Sequence, residues 1–358
     1  MADELAAPAA ARSQSAWRNP AALVRYVVGV ALGFLVLLLL VGKRGEFIAA
    51  WHQLGGASPR WVAAAIAAES LSLLAYAWLQ QRVLRLSGAR LPLAGLFLLS
   101  LANDAIACSV PGEPAVSTAY RYRYYRRRGA SGASAGWTIF TILIAQAIGM
   151  SVLLLLGVLV ALAGSASPVS AGVTIVGLVI VLAAGAVLVR RDLVLRLVGA
   201  LVRGLRRVTG HPRGSLGARI EGTLHRMREI PLSARSTVGI VAVATAVWGC
   251  DFLCLVCGFR AVHCPVPWHG VLLAYGVAQV AGSFPIIPGG LGIVEGSLAV
   301  VLMAYGTGRV PAVSAALAFR IVNYWLAIAV GWLSVGLIAQ LARRRAADRP
   351  VPDPGAGP

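Results

Sequence analysis

The chain has 358 residues, of which 58% are hydrophobic and 13% charged, with a formal net charge of +19. Soluble domains are about 45–50% apolar and about 25% charged, so these figures exclude a soluble enzyme, a coiled coil, a collagen and a disordered chain. What remains is an all-α, polytopic integral membrane protein, because apolar runs of about 20 residues span a bilayer only as helices that satisfy their own backbone.

Residues 1–20 read as a cytoplasmic tail. The first apolar run follows it without a small-x-small cleavage site and is expected to stay as a span rather than be cut as a signal peptide. Continuous apolar runs at 22–41, 61–81, 133–163, 171–189, 236–258 and 312–341 predict six crossings. Two further runs, 91–110 and 268–305, are interrupted. The first ends at Pro111-Gly112, and the second contains Pro285, Pro288, Gly289, Gly290 and Gly292. Pro and Gly at this density break helices, so both runs read as re-entrant hairpins, giving about eight hydrophobic segments. The membrane domain covers 21–341, and residues 342–358 form a second cytoplasmic tail.

The basic residues orient these segments. With the N-terminus inside and the two hairpins not crossing, 26 of the 32 Lys and Arg residues fall on the cytoplasmic side, including Arg121–Arg128 and eleven Arg in the loop 190–235. Cytoplasmic loops carry such an excess. An ordinary crossing at 91–110 would turn that loop outward. Both termini are therefore expected in the cytoplasm of a bacterial cell, with the protein in its cytoplasmic membrane. The charge surplus then needs no nucleic acid. The stretch RRDLVLRLVGALVRGLRRV has the composition of an interfacial helix on an anionic leaflet, or serves only as a topology signal.

The two halves repeat by spacing. Arg85 precedes Pro92 by seven residues, Gly95 follows by three, and Pro111 precedes Gly129 by eighteen; Arg260, Pro267, Gly270, Pro288 and Gly306 repeat the same intervals. Repeat A covers 22–163 and repeat B 171–341, each reading span, span, hairpin, span. Three crossings per half make the second copy inverted, which is a transporter plan.

Five acids lie in or beside apolar runs: Glu69, Asp104, Glu113, Asp251 and Glu295. Each would cost roughly 2.5–3.5 kcal/mol at a helix centre on insertion scales. Arg320 lies in the last span with Asn323 one turn further on, and either Glu295 or Asp251 is its expected partner. The segment PIIPGGLGIVEG is no nucleotide loop, since no Lys follows its glycines. Gly289 and Gly290 permit positive φ or close backbone approach. The helix opening after Gly292 would aim its free N–H groups at an anionic group. The expected substrate-binding set is Glu113, Asp104, Asn103, Gly289, Gly290, Glu295, Arg320 and Asn323, with Glu69 and Asp251 as proton- or charge-coupling candidates. The bland alternative is that these groups only join helices.

FPIIPGGLGIVEGSLAVVLMAYG followed by AFRIVNYWLAIAVGW resembles the lysylphosphatidylglycerol synthase transmembrane, or flippase-like, family, and SVPGEPA resembles its earlier Pro/Gly-Glu segment. The family's PGG-x-G-x-x-E pattern falls on Pro288, Gly289, Gly290, Gly292 and Glu295, and its later Arg on Arg320. The resemblance implies a protein that moves a lipid across the inner membrane. Val294 stands where members often carry a basic residue, and an Arg usually close to the first Glu is delayed to Arg121. Nothing resembling the family's soluble aminoacyl-transferase domain follows, so a stand-alone transport part is expected.

Cys250, Cys254 and Cys257 share a helix face and read as a packing stripe rather than a metal or redox site. No metal, cofactor or ATP-binding motif is expected, and the protein is not expected to be an enzyme. The expected function is flipping of a phospholipid or lipid-linked head group through a polar groove between the hairpins, not driven by ATP. The partners are membrane lipids, with self-association open. An intramembrane transferase and a non-transporting scaffold are the alternatives.

Overall fold

The computed structural model describes residues 54–109, 113–164, 233–283 and 288–347, with His52, Ala171, Gly172, Ile175 and Val179. The run at 22–41, most of 171–189, the basic loop as far as Leu232, Pro111, Gly112, Pro285 and most of both tails lie outside the described residues. Among the described residues all regular structure is helical. The helices are α1 (Pro59–Leu86), α2 (Leu93–Ser109), α3 (Glu113–Arg127), α4 (Gly132–Gly164), α5 (Ala234–Ala261), α6 (Val271–Gly282), α7 (Ile293–Ala304), α8 (Arg309–Arg320) and α9 (Ala327–Ala347). A 3-10 turn, Pro288–Gly290, precedes α7, and a π turn, Ile321–Leu326, joins α8 to α9.

Among the described residues, four helical stretches are long and apolar enough to cross a membrane: α1, α4, α5 and the continuous Arg309–Leu341. They coincide with the runs expected at 61–81, 133–163, 236–258 and 312–341. The 28 residues of α1 or α5 reach about 42 Å at 1.5 Å per residue, longer than a hydrocarbon core of about 30 Å. The two interrupted runs yield shorter helices. α6 and α7 have 12 residues each, about 18 Å, with the Pro-Gly segment between them. The run at 91–110 differs: α2 is unbroken from Leu93 to Ser109. Its Pro and Gly stand at the end of the apolar text, so a second helix begins only at Glu113. That helix, α3, is rich in Tyr and Arg rather than apolar.

Lengths and caps recur between the halves. α1 and α5 have 28 residues each and follow Ser58 and Ser233. Three residues beyond Arg85 and Arg260, Gly88 (φ 83°) and His263 (φ 57°) both take the left-handed conformation. That conformation is unusual for a side-chain-bearing residue such as His263. α4 and Arg309–Leu341 each have 33 residues. α1 and α5 run antiparallel: Ser58 N–H donates to the Ala261 carbonyl at 2.8 Å, and Ser72 Oγ donates to the Val247 carbonyl at 2.9 Å.

Two cores flank this pair. Phe259, Tyr275 and Phe319 anchor α5, α6 and α8, with Tyr275 edge-on to Phe319 at 6.3 Å. Leu84, Leu99 and Tyr125 anchor α1, α2 and α3. Small residues allow the closest crossings. A Cβ on Gly149 of α4 would lie 2.8 Å from the Ala244 backbone, and one on Gly331 of α9 would lie 2.3 Å from Leu101 O. Large apolar side chains such as Leu143 and Leu333 face outward, as lipid-facing surfaces do, while several polar groups turn inward.

Candidate functional site

The π turn carries the site. Such turns concentrate at functional positions because they interrupt the regular i→i−4 ladder. Arg320, which ends α8, is 5% exposed. Its Nε donates to Glu295 Oε1 at 2.6 Å and its Nη2 to the Gly289 carbonyl at 2.8 Å. Its guanidinium lies 4.2 Å over the Tyr324 ring, a cation–π arrangement. Of the two expected partners for Arg320, the structure makes Glu295 the ion-pair partner.

Glu295 is the third residue of α7, and its Oε2 accepts the Gly292 N–H at 2.6 Å. It thus closes the helix N-terminus and pairs with Arg320 at once. Gly289 has φ 61°, and a Cβ there would meet Tyr324 Cε2 at 2.2 Å. Glycine is needed at that position for both the left-handed backbone and the aromatic ring beside it. Gly290 packs on Gly282 at the end of α6, where a Cβ would lie 3.0 Å from its Cα. Tyr324 Oη donates to the Cys108 carbonyl at 3.1 Å, which ties the end of α2 to the same turn.

A second polar group lies beside the first. Asp251 on α5 is 4% exposed. Its Oδ1 accepts from Asn323 Nδ2 at 2.7 Å, and its Oδ2 accepts from Tyr275 Oη at 2.5 Å and Gln279 Nε2 at 3.0 Å. Asn323 Nδ2 also reaches Glu69 Oε1 of α1, at 3.4 Å. Glu69 is 9% exposed, and its Oε2 has no hydrogen-bond partner among the described residues. The structure therefore separates the expected residues into an Arg320–Glu295–Gly289 cluster and an Asp251–Asn323–Glu69 cluster, joined through the π turn. On α2, Asp104 is half-buried and within electrostatic reach of Glu69, while Asn103 is buried with Oδ1 unpartnered among the described residues. Glu113 opens α3. Cys254 packs in the core with Cys250 and Cys257 half-buried beside it.

Sequence reasoning passed over several participants. Tyr275 and Gln279 hold Asp251, and Tyr324 stacks on Arg320. A further network joins Tyr125 Oη to Gln80 Oε1 at 2.6 Å and Gln80 Nε2 to Ser100 Oγ at 2.8 Å. Beside it, Arg121 Nη1 donates to Tyr76 Oη at 2.5 Å. Neutral Tyr and Gln blend into apolar text. The available signal was the four-residue spacing of Tyr275 and Gln279, which places both on one helix face.

Long apolar helices with an ion pair sealed among them define a multi-pass helical membrane protein. The family model described as the lysylphosphatidylglycerol synthase TM region matches residues 26–331, and the chain belongs to that family. An uncharacterized protein of Synechocystis sp. is 34% identical over 83 residues, a stretch that is 23% of this chain and 26% of that relative. The membership is consistent with a lipid-related role in a membrane.

Proposed function

We propose that this protein is a transporter, not an enzyme, that flips a phospholipid or another lipid-linked polar head group across the bacterial cytoplasmic membrane. The carrying observation is Arg320, buried within a span and held by Glu295 and the Gly289 carbonyl at the break between α6 and α7. A guanidinium binds phosphate in the same forked geometry as carboxylate. An incoming anionic head group would compete with Glu295 for Arg320, open the contact between the π turn and α7, and find the α7 N-terminus beside it. Asn103 and Asp104 would line the approach from the α2 side. The head group would travel along this polar groove while its acyl chains remain in the bilayer.

The repeated helix lengths, the serine before each of α1 and α5, and the antiparallel α1–α5 pair support an inverted repeat of span, span, re-entrant hairpin, span, with six crossings in all. Antiparallel packing of equivalent helices is what inversion requires. In this reading both termini and the loop 190–235 face the cytoplasm. Movement is downhill or ion-coupled rather than driven by ATP.

The test is reconstitution of the full chain into phosphatidylethanolamine–phosphatidylglycerol vesicles holding fluorescent phosphatidylglycerol, with a membrane-impermeant quencher reading the outer leaflet. Wild-type protein should speed exchange over empty vesicles. Glu295→Gln and Arg320→Ala should lose that gain while still inserting. Wild-type rates in both variants would remove the groove from the mechanism.

A further inference from the structure

We propose that Glu69 and Asp251 form a one-proton site, and that this proton is the ion exchanged during the transport cycle. The second half of this statement rests on the transport reading above; the first half does not.

The geometry assigns the proton. Asp251 and Glu69 approach the same amide nitrogen of Asn323 from α5 and α1. Both carboxyls are more than nine-tenths buried. Arg320, the cation near the pair among the described residues, is already neutralised by Glu295. Two carboxylates side by side in a low-dielectric site cannot both be ionised. Their surroundings differ. Asp251 receives three donors, from Tyr275, Gln279 and Asn323, and donors of this kind compensate an ionised carboxylate. Glu69 Oε2 is buried without a donor among the described residues, which suits a protonated oxygen turned toward its neighbour.

The same donors argue against a metal cation. A hard cation needs oxygen lone pairs converging on it. Here the oxygens of Asp251 are occupied by O–H and N–H groups. The other ionisable groups facing the pair are Tyr275 on α6, Asp104 on α2, Cys250 and Cys254 on α5, and Arg320 at the π turn. α4, which packs on both α1 and α5, brings no ionisable side chain.

Linkage to transport runs through one turn. Asn323 bridges the two carboxyls and stands three residues from Arg320 in the same helical segment. Loss of the proton leaves two buried negative charges drawing on the one Asn323 amide that they share. The π turn then has reason to shift, and Arg320 moves with it. Proton exchange and release of Arg320 from Glu295 become one event.

Infrared difference spectroscopy of the full chain in phosphatidylethanolamine–phosphatidylglycerol vesicles tests the site. Wild-type protein should show a carboxylic-acid C=O band that titrates with pH. The band should vanish in Glu69→Gln and persist in Glu69→Asp. Gel-filtration elution in detergent identifies any variant that fails to fold, and Glu69→Asp keeps the comparison valid if Glu69→Gln fails. A missing wild-type band, or one unchanged in a folded Glu69→Gln, overturns the site.

The coupling is tested in the same vesicles with fluorescent phosphatidylglycerol. With one proton per lipid, a gradient of one pH unit should bias the leaflet ratio by up to about tenfold. An equal sodium gradient should leave it unchanged. A ratio indifferent to the proton gradient, or following sodium, overturns the coupling. Vesicles that move no lipid while the band still depends on Glu69 refute the transport reading and leave the proton site standing.

Discussion

Replacing Glu295 with Gln keeps the shape of the side chain and its contact with the Gly292 N–H but removes the charge facing Arg320. Among the described residues, the guanidinium is then left buried with the Gly289 carbonyl and the Tyr324 face as partners. Breaking one side of a buried pair costs about 3–5 kcal/mol. The Glu295 side chain retains 19% exposure, so the lower end, about 3 kcal/mol, is expected. At about 2–4 °C per kcal/mol, this lowers the melting midpoint by about 6–12 °C. Removing the second charge should reverse most of the loss. Glu295→Gln combined with Arg320→Met should lie within about 1 kcal/mol of wild type, because the uncompensated charge is gone. Intrinsic fluorescence melting in detergent at one fixed scan rate measures all three variants. A Glu295→Gln midpoint within about 1 °C of wild type would refute the buried-pair reasoning, as would simple additivity in the double variant.

Gly289→Ala should destabilise the protein by about 1–3 kcal/mol and slow lipid exchange, because its Cβ meets both the positive φ and the Tyr324 ring; melting and the vesicle assay read the two effects. Gly331→Val should part α9 from α2 and cost about 1–3 kcal/mol in the same melting assay, whereas Gly136→Ala, whose Cβ meets open space, should change little. Asn323→Ala should raise sensitivity to proteolysis in detergent, since it strips Asp251 and Glu69 of their shared donor. Arg123→Cys, exposed on α3, should react with membrane-impermeant maleimide only from the cytoplasmic side; periplasmic labelling would invert the topology.

Within the described residues the sequence carried the spans well. Apolar runs at 61–81, 133–163, 236–258 and 312–341 became four long helices because a lipid-facing helix must be apolar nearly all round, a signal that survives without neighbours. The break at Pro288–Gly290 was equally legible, since Pro and Gly act on their own backbone. The end of the other run was less so. Pro111-Gly112 sits after the apolar text, and only the backbone shows α2 running unbroken to Ser109. The matching Ser58 and Ser233 starts were in the text but lack apolar weight, so the recurrence at those positions escaped notice.

What the sequence determined by itself was the class of the protein, the position of the four spans that the described residues include, and the presence of charges that are costly in a membrane. Which charge meets which was decided by the tertiary structure. Periodicity fixes neighbours three and four residues apart on one helix. It says nothing of the crossing points that bring Glu295 to Arg320, or Glu69 and Asp251 to one amide of Asn323. Those meetings depend on how closely α1, α5, α7 and the π turn approach one another, and that is set by packing across the whole bundle.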